Sequence, residues 1–404
     1  MKKIIKTILF VLVIFIFNAC THEKQTGTIV GDYVTVIAKN ISLDPDKQLL
    51  LSDFVDKIDI IPLEFTDSCM LKDIKKVTIV GNNIFLIESS EPESVYRFDM
   101  HGNFLNRIGV RGQGPQEQIE LLDFSINEED KIVYLLDNAK QVVFCYDFNG
   151  QFIERIRINQ YASKMEYKNG FFYFYIDQPV SGNNNYSLII RNSKGEIENM
   201  YFHSKNYPIN IDCQIFSKTS DNLIFHKPMN DTIYSLDRDT LKYAYYFDFG
   251  SLKFTKQEVE DIYTERIPAF QILFNKERIS GIDNLFHVGK WIYFNSTYKI
   301  ISFSFLYNTE SAKLNVAARF WDDLEYMFYN NTFYGQTNDA LIGVYETGEL
   351  LNDIERFTRY EKEKYISAEK KTEQVQKMKT IMRGNNPEEM NPWLLIYHLK
   401  SNHL

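Results

Sequence analysis

The feature that most constrains the fold is a hairpin written twice. Residues 94–108 (SVYRFDMHGNFLNRI) align with residues 142–156 (VVFCYDFNGQFIERI), so that Asp99 and Asp147, Gly102 and Gly150, Phe104 and Phe152, Arg107 and Arg155, and Ile108 and Ile156 all stand 48 positions apart. Each copy reads as a strand, a tight turn at Asp-x-x-Gly and a return strand. The glycine supplies the positive φ such a turn needs. A second pair of strands precedes each hairpin: Lys75-Val80 with Asn83-Ile87 around Gly81-Asn82, and Leu122-Ile126 with Ile132-Asp137 around Glu128-Asp130. Four strands in about 48 residues is the size of one propeller blade, for which about 40–50 is usual.

Weaker copies follow. Residues 165–202 turn at Asn169-Gly170 and Lys194-Gly195, residues 213–249 at Asp221-Asn222 and Asp237-Asp239, and residues 283–320 at Gly289-Lys290 and Asn308-Ser311. Residues 327–349 begin a last unit. The composition agrees, because 26 Tyr and 31 Phe in alternating apolar stretches suit pleated, half-buried strands. Two segments break the pattern. Residues 255–280 and 349–383 carry charges and apolar residues at helical spacing and are predicted to be helical. Residues 393–399 (WLLIYHL) read as a terminal strand. Either this strand or residues 57–65 (KIDIIPLEF) is expected to close the ring, since an open sheet edge is an aggregation hazard.

The amino terminus has the parts of an export signal: Lys2, Lys3 and Lys6, an apolar run from Ile8 to Phe17, then Asn18-Ala19-Cys20. The run is shorter than the roughly 20 residues a bilayer span needs, which favours a signal peptide over residues 1–19. Phe17-Asn18-Ala19-Cys20 resembles a lipobox, which implies that Cys20 becomes the first mature residue and carries acyl chains. Residues 20–40, polar at first, are expected to be a lipidated tether to a domain over residues 41–404. Thr21 stands where an inner-membrane retention signal would place Asp, which by resemblance implies the outer membrane, facing either the periplasm or the exterior.

Taken together, the lipobox, the Tyr96-Arg97-Phe98-Asp99…Gly102-Asn103-Phe104 hairpin, Ile108-Gly109…Arg111-Gly112-Gln113-Gly114-Pro115…Glu117 and the closing Asn391-Pro392-Trp393-Leu394-Leu395-Ile396-Tyr397-His398-Leu399-Lys400 resemble the six-bladed β-propeller lipoproteins of Gram-negative bacteria. The resemblance implies an all-β ring of four-stranded antiparallel blades with NHL/TolB-like architecture. It implies no single activity.

Signals for chemistry are sparse. The formal net charge of −9 becomes −12 once the three lysines of residues 1–19 are removed, and no basic cluster offsets it, which argues against nucleic acid. Cys69, Cys145 and Cys213 are far apart and lack CxxC spacing, so they are expected as small buried hydrophobes. The seven histidines fall in no HxH or HExxH pattern, and no GxSxG is present, so neither a metal, a cofactor nor a catalytic residue is assigned. Asp99-x-x-Gly102 and Asp147-x-x-Gly150 lack the distal Glu of a calcium loop and read as turns.

The most distinctive loop is Arg111-Gly112-Gln113-Gly114-Pro115-Gln116-Glu117. Gly112 and Gly114 allow a compact turn with exposed N–H groups that could hold an anion beside Arg111; the plainer role is an inter-blade connection in which Arg111 or Glu117 makes an ion pair. The aromatic runs at 171–175 and 243–247 are expected mainly as packing. The insertion at 255–280 is a stronger functional candidate, because inserted material gathers on one face of a ring. The expected function is therefore a membrane-tethered binding or scaffolding propeller for a protein, peptide or glycan, rather than an enzyme. The alternative is a lyase or hydrolase in the central channel, built from residues of several blades.

Overall fold

The computed structural model describes residues 26–89, 93–177, 185–203, 213–264, 269–325, 332–349, 352, 354–355, 367–382 and 390–401. The expected signal peptide, residues 1–19, and the expected lipidation site, Cys20, lie outside the described residues. The chain forms a six-bladed β-propeller of four-stranded antiparallel blades. Blade one spans residues 74–108, blade two 121–157, blade three 164–203, blade four 216–248 and blade five 283–317.

Blade six is made from both ends of the chain. Its strands, from the axis outward, are Gly335–Gln336, Ala340–Tyr345, Trp393–Leu399 and Val55–Pro62. Both candidate closing strands are thus used, and they pair with each other, Leu395 opposite Ile60 and Tyr397 opposite Ile58. Asn391, fully buried, locks the junction: its amide donates to the carbonyls of Glu64 and Cys69 at 2.6 and 2.9 Å and accepts from the Leu71 N–H at 2.7 Å.

Alternation along each strand sends side chains to both blade faces, and neighbouring blades share them. Six apolar clusters result, one per interface. Phe85 and Phe98, on neighbouring strands of blade one, illustrate the split: Phe85 packs with Phe124 and Phe144 of blade two, and Phe98 with Leu394 and Ile396 of blade six. The sixth interface, between blades six and one, closes the ring. The run Phe171–Tyr175 is consumed this way, with Phe172 and Phe174 facing blade two and Tyr173 and Tyr175 facing blade four.

The repeated Asp-x-x-Gly turns explain their own spacing. The carboxylate of Asp99 accepts the N–H groups of His101 and Asn103 at 2.8 and 2.9 Å, and that of Asp147 accepts those of Asn149 and Gln151 at 2.9 and 2.8 Å. The glycine then does two jobs. Gly102 has φ +82°, and a Cβ there would lie 2.0 Å from the carbonyl oxygen of Pro62 on the neighbouring blade; Gly150 meets the Arg107 carbonyl in the same way, at 2.9 Å. Gly102→Ala is therefore expected to cost about 2–3 kcal/mol, from positive-φ strain and displacement of a neighbouring strand. Gly170→Ala, at φ +87° with open space around it, should cost only ~1 kcal/mol. Equal losses in denaturant titrations of the two variants would contradict the blade contact.

Helices occupy both irregular segments. Residues 255–280 contain Lys256–Thr264 and Ala269–Asn275, and 349–383 contain Ala368–Met382. The first begins with a reciprocal cap: the Thr255 N–H donates to the Glu258 carboxylate at 2.8 Å, and the Glu258 N–H donates to Thr255 Oγ1 at 3.2 Å.

The segment 20–40, expected to be tether, departs from that expectation. From Thr26 onward it lies on the ring. Thr26 bridges Met200 of blade three, Val30 bridges Lys242, and Val34–Ile37 forms a fifth, parallel strand on the outer edge of blade four. The physical reason is that edge: the outer strand Thr240–Asp248 is nine residues long, and covering its free N–H and C=O groups removes a site of non-native pairing. Further on, Gln48–Leu50 pairs in parallel with Arg319–Trp321 before the chain enters blade six.

Candidate functional site

All six inner strands run in the same sense, so among the described residues the inter-blade connections and the turns between second and third strands lie on one face of the ring. Among the described residues the opposite face carries the short turns between first and second and between third and fourth strands, together with the lead into Val55–Pro62 and the end of the closing strand at Leu399. Three features share the first face: the mouth of the axis, the Arg111 loop and a cleft beside the helical insertion.

The axis is closed by charge. Lys76, Asp123, Glu166 and Lys218 each stand third in the inner strand of blades one to four and turn toward the centre. Lys76 Nζ lies 2.9 Å from Asp123 and 3.7 Å from Glu166, and Lys218 Nζ lies 2.7 Å from Glu166. Ser125 donates to Glu166 as well. Burial by itself would raise the Glu166 pKa, but Lys218, Lys76 and the hydrogen bonds together outweigh it and bring it to about 2. Burial acts to lower Lys76, and Asp123 and Glu166 overcome it, leaving its pKa raised. On the remaining side Ser217 donates to Gln336 at 2.6 Å, and Gln336 donates to the carbonyls of Lys218 and His287. Above this plug the mouth retains a cavity of about 80 Å³, bordered by Lys75, Lys164, Cys213 and Asn284.

No sequence motif announced these four residues. The available signal was a charge inside an otherwise apolar strand, as in Ile74-Lys75-Lys76-Val77 and Met165-Glu166-Tyr167, with Asp123 47 residues after Lys76, one short of the 48-residue repeat.

The structure brings Gly112, Gly114 and Glu117 together. The Glu117 carboxylate accepts the Gly114 N–H at 2.7 Å, and a Cβ on Gly112 would lie 2.1 Å from it. The loop's own carboxylate thus sits in the turn that glycine makes possible. Lys140 clamps the loop from blade two through the carbonyls of Gly114 and Glu117, at 2.7 and 2.5 Å. Fully buried Gln118 fixes its base through Val110 and Glu93. Arg111 stands exposed at the loop's entrance.

The cleft, about 720 Å³, lies between the 227–231 turn of blade four, residues 249–256 and the helix Lys256–Thr264. Its walls are held firmly. Arg278 grips Glu258 through Nε and Nη2 at 3.0–3.2 Å and donates to the Ser251 carbonyl at 2.6 Å. Glu258, despite its desolvation, is brought to a pKa of about 2 mainly by that guanidinium and by Thr255. Gly281, at φ +90°, passes so close to the turn that a Cβ would lie 2.7 Å from the Asn230 carbonyl. Among the residues that line it, burial pushes Lys227 down and Asp231 up, the latter offset in part by Lys253. The Lys227 ammonium lies 5.6 Å from the Phe202 ring centre. Behind them His226 is fully buried and held near a pKa of 4 by desolvation, a core histidine in its neutral form.

Among the described residues no three His, Cys, Asp or Glu side chains are grouped to hold a metal. Cys69 and Cys145 are buried thiols pushed to about 12 by desolvation, while Cys213 is half-buried at the axial mouth.

With this geometry in place, the comparisons are informative. The sequence profile described as "Domain of unknown function (DUF4934)" matches residues 34–398. The chain belongs to the DUF4934 family. The profile begins with the strand Val34–Ile37 and ends in the closing strand of blade six, so the family unit is the whole ring with its added edge strand. A Bacteroides fragilis protein, assigned by name to the exported class, is similar in structure with a TM-score of 0.74 at 16% identity, over 91% of this chain and 100% of its own. A DUF4221 family member from Bacteroides vulgatus matches with a TM-score of 0.46 at 10% identity, over 71% of this chain and 91% of its own. No curated protein matches the chain in sequence.

Proposed function

We propose that this DUF4934 member is an exported lipoprotein whose propeller, of the NHL/TolB-like type, binds a peptide, protein or glycan on the face of the long inter-blade connections. Ligand would enter the cleft between blades four and five. The observation that carries this reading is the contrast between the two concave places on that face. The axis is filled by charges that satisfy one another, whereas the cleft is open, rigid-walled and of a size usual for ligand sites. Its poorly solvated Lys227 and Asp231 are the kind of groups a ligand's own charges would solvate. Arg111, exposed on the same face, belongs to the proposed contact surface. A lyase or hydrolase centred in the channel draws no support from Asp123 and Glu166, each already held by a lysine.

Export rests on Lys2 to Cys20 and on the Bacteroides fragilis neighbour, whose name assigns it to exported proteins; anchoring rests on the lipobox-like setting of Cys20 alone. The outer membrane is the proposed site, and several acyl chains would make attachment stable.

Binding is tested by thermal unfolding of the mature domain against panels of envelope glycans and peptides. A ligand at a hundred times its Kd adds about 2.7 kcal/mol. That gain should disappear in Lys227→Glu and shrink in Lys256→Glu, whose side chain lies on the exposed wall of the cleft. A ligand that stabilises all three proteins equally would place binding elsewhere.

A further inference from the structure

The strap formed by the first described residues leads to a second surface. Its docking starts at Thr26 and Gly27, where the Gly27 N–H donates to the Met200 carbonyl at 3.0 Å and the absence of a side chain lets the backbone lie on Tyr201. Val30 then exchanges hydrogen bonds with blade four, donating to the Leu241 carbonyl at 3.2 Å and accepting from the Tyr243 N–H at 3.0 Å. Six peptide units separate Cys20 from Thr26. At ~3.3–3.6 Å per residue they span at most about 20 Å. A compact chain of this length has a radius of gyration of about 20 Å. A lipid on Cys20 therefore does not hold the propeller on a long leash; it holds the rim of blades three and four close to the bilayer.

That rim has the side chains such a position calls for. Tyr33, Val34 and Ile37 are 48, 52 and 57% exposed, an unusual run of apolar groups for an edge strand in water. Tyr33 packs on Tyr243 and Tyr246, with ring centres 5.7 and 5.4 Å apart, and Lys253 donates to the Tyr246 hydroxyl at 3.0 Å. Tyrosines with lysines at their tips suit the headgroup level of a membrane, where the ring is buried and the polar end stays wet. The rim also carries Asp32, Asp237, Asp239 and Asp248; Asp237 is paired with Lys242 at 2.8 Å, Asp248 accepts the Gly250 N–H at 3.0 Å, Asp239 accepts from Asn199, and Asp32 is exposed beside Tyr33.

We propose that the edge formed by residues 30–37 and the strand Thr240–Asp248 rests on a phospholipid surface. The ring then stands on its rim, with the connection face and its cleft opening sideways along the membrane. This deepens the anchoring reading and depends on lipidation of Cys20.

The test uses the full lipidated protein in phosphatidylethanolamine–phosphatidylglycerol vesicles, with Cys213→Ser to leave only buried native thiols. Bimane is placed at Val34→Cys, at Ile37→Cys as a second probe of the same edge, and at Leu105→Cys on the outer strand of blade one, across the ring. Nitroxide-labelled lipid should quench bimane at 34 and 37 and leave 105 unaffected. Equal quenching at 105, or none at 34 and 37 while the protein floats with the vesicles, overturns the rim contact and leaves the anchor standing. If wild type and Cys20→Ala fractionate alike in cells and neither floats, the anchor itself is absent and the rim proposal falls with it.

Discussion

A chain ending at Met390 is expected to leave no folded ring. The missing strand Trp393–Leu399 is not an outer decoration of blade six; it lies between Ala340–Tyr345 and Val55–Pro62, and both lose their partner. Six of its side chains, Trp393, Leu394, Leu395, Ile396, Tyr397 and Leu399, are buried. They are divided between the clusters on either side of the blade, so two of the six interfaces fail together. At roughly 1.5–3 kcal/mol for each large apolar side chain, the loss is as large as the ~5–15 kcal/mol that typically holds a domain folded. Far-UV circular dichroism and thermal unfolding of the truncated chain decide the matter. A cooperative transition near that of the full chain would mean that blade six is dispensable to closure.

Glu166→Ala is expected to lower stability by about 3–5 kcal/mol, the usual cost of breaking a buried pair from one side. Lys76 is the more affected in energetic terms, because it is buried and would keep one carboxylate, Asp123, and the Phe124 carbonyl, whereas Lys218 is partly open to solvent. The same network sets an acid limit. The Glu166 pKa is lowered on folding, so its contribution is present above the ordinary glutamate value of 4.5 and is lost as pH falls toward about 2. The wild type should therefore weaken across that window, and Glu166→Ala should show a flatter acid profile as well as a lower plateau. Denaturant midpoints measured from pH 2 to 7 read both effects. A Glu166→Ala profile parallel to wild type would mean that other carboxylates govern the acid limit. Replacing Lys76, Asp123, Glu166 and Lys218 together by apolar residues of similar volume should recover much of the loss, since such groups also carry a desolvation cost.

How much could be read in advance depends on whether the signal was local. The 48-residue repeat, the turns at Asp99-x-x-Gly102 and Asp147-x-x-Gly150 and the strands around Gly81-Asn82 are local signals, and the structure contains all of them. Helices in 255–280 and 349–383 followed from periodicity in the same way. The site residues were less accessible. Gly112, Gly114 and Glu117 do meet, but the carboxylate's position against the glycine backbone depends on a fold that no spacing specifies. Lys76 and Lys218 are 142 residues apart, and Lys227 and residues 253–256 line one cleft because the connection leaving blade four folds back beside that blade's own turn.

The sequence by itself determined the blade: its four strands, its turn chemistry and its alternation, because each depends on residues within a hairpin's reach. The export-like segment before Cys20 is likewise a local pattern, and the anchoring proposed from it awaits the fractionation test. Only the tertiary structure decided how the blades close, which charges plug the axis, where the cleft opens and that the segment after Thr26 binds the rim instead of trailing from it. Those outcomes depend on which edges and faces remain unpaired once six sheets are packed around one axis, and that is a property of the ring rather than of any stretch of chain.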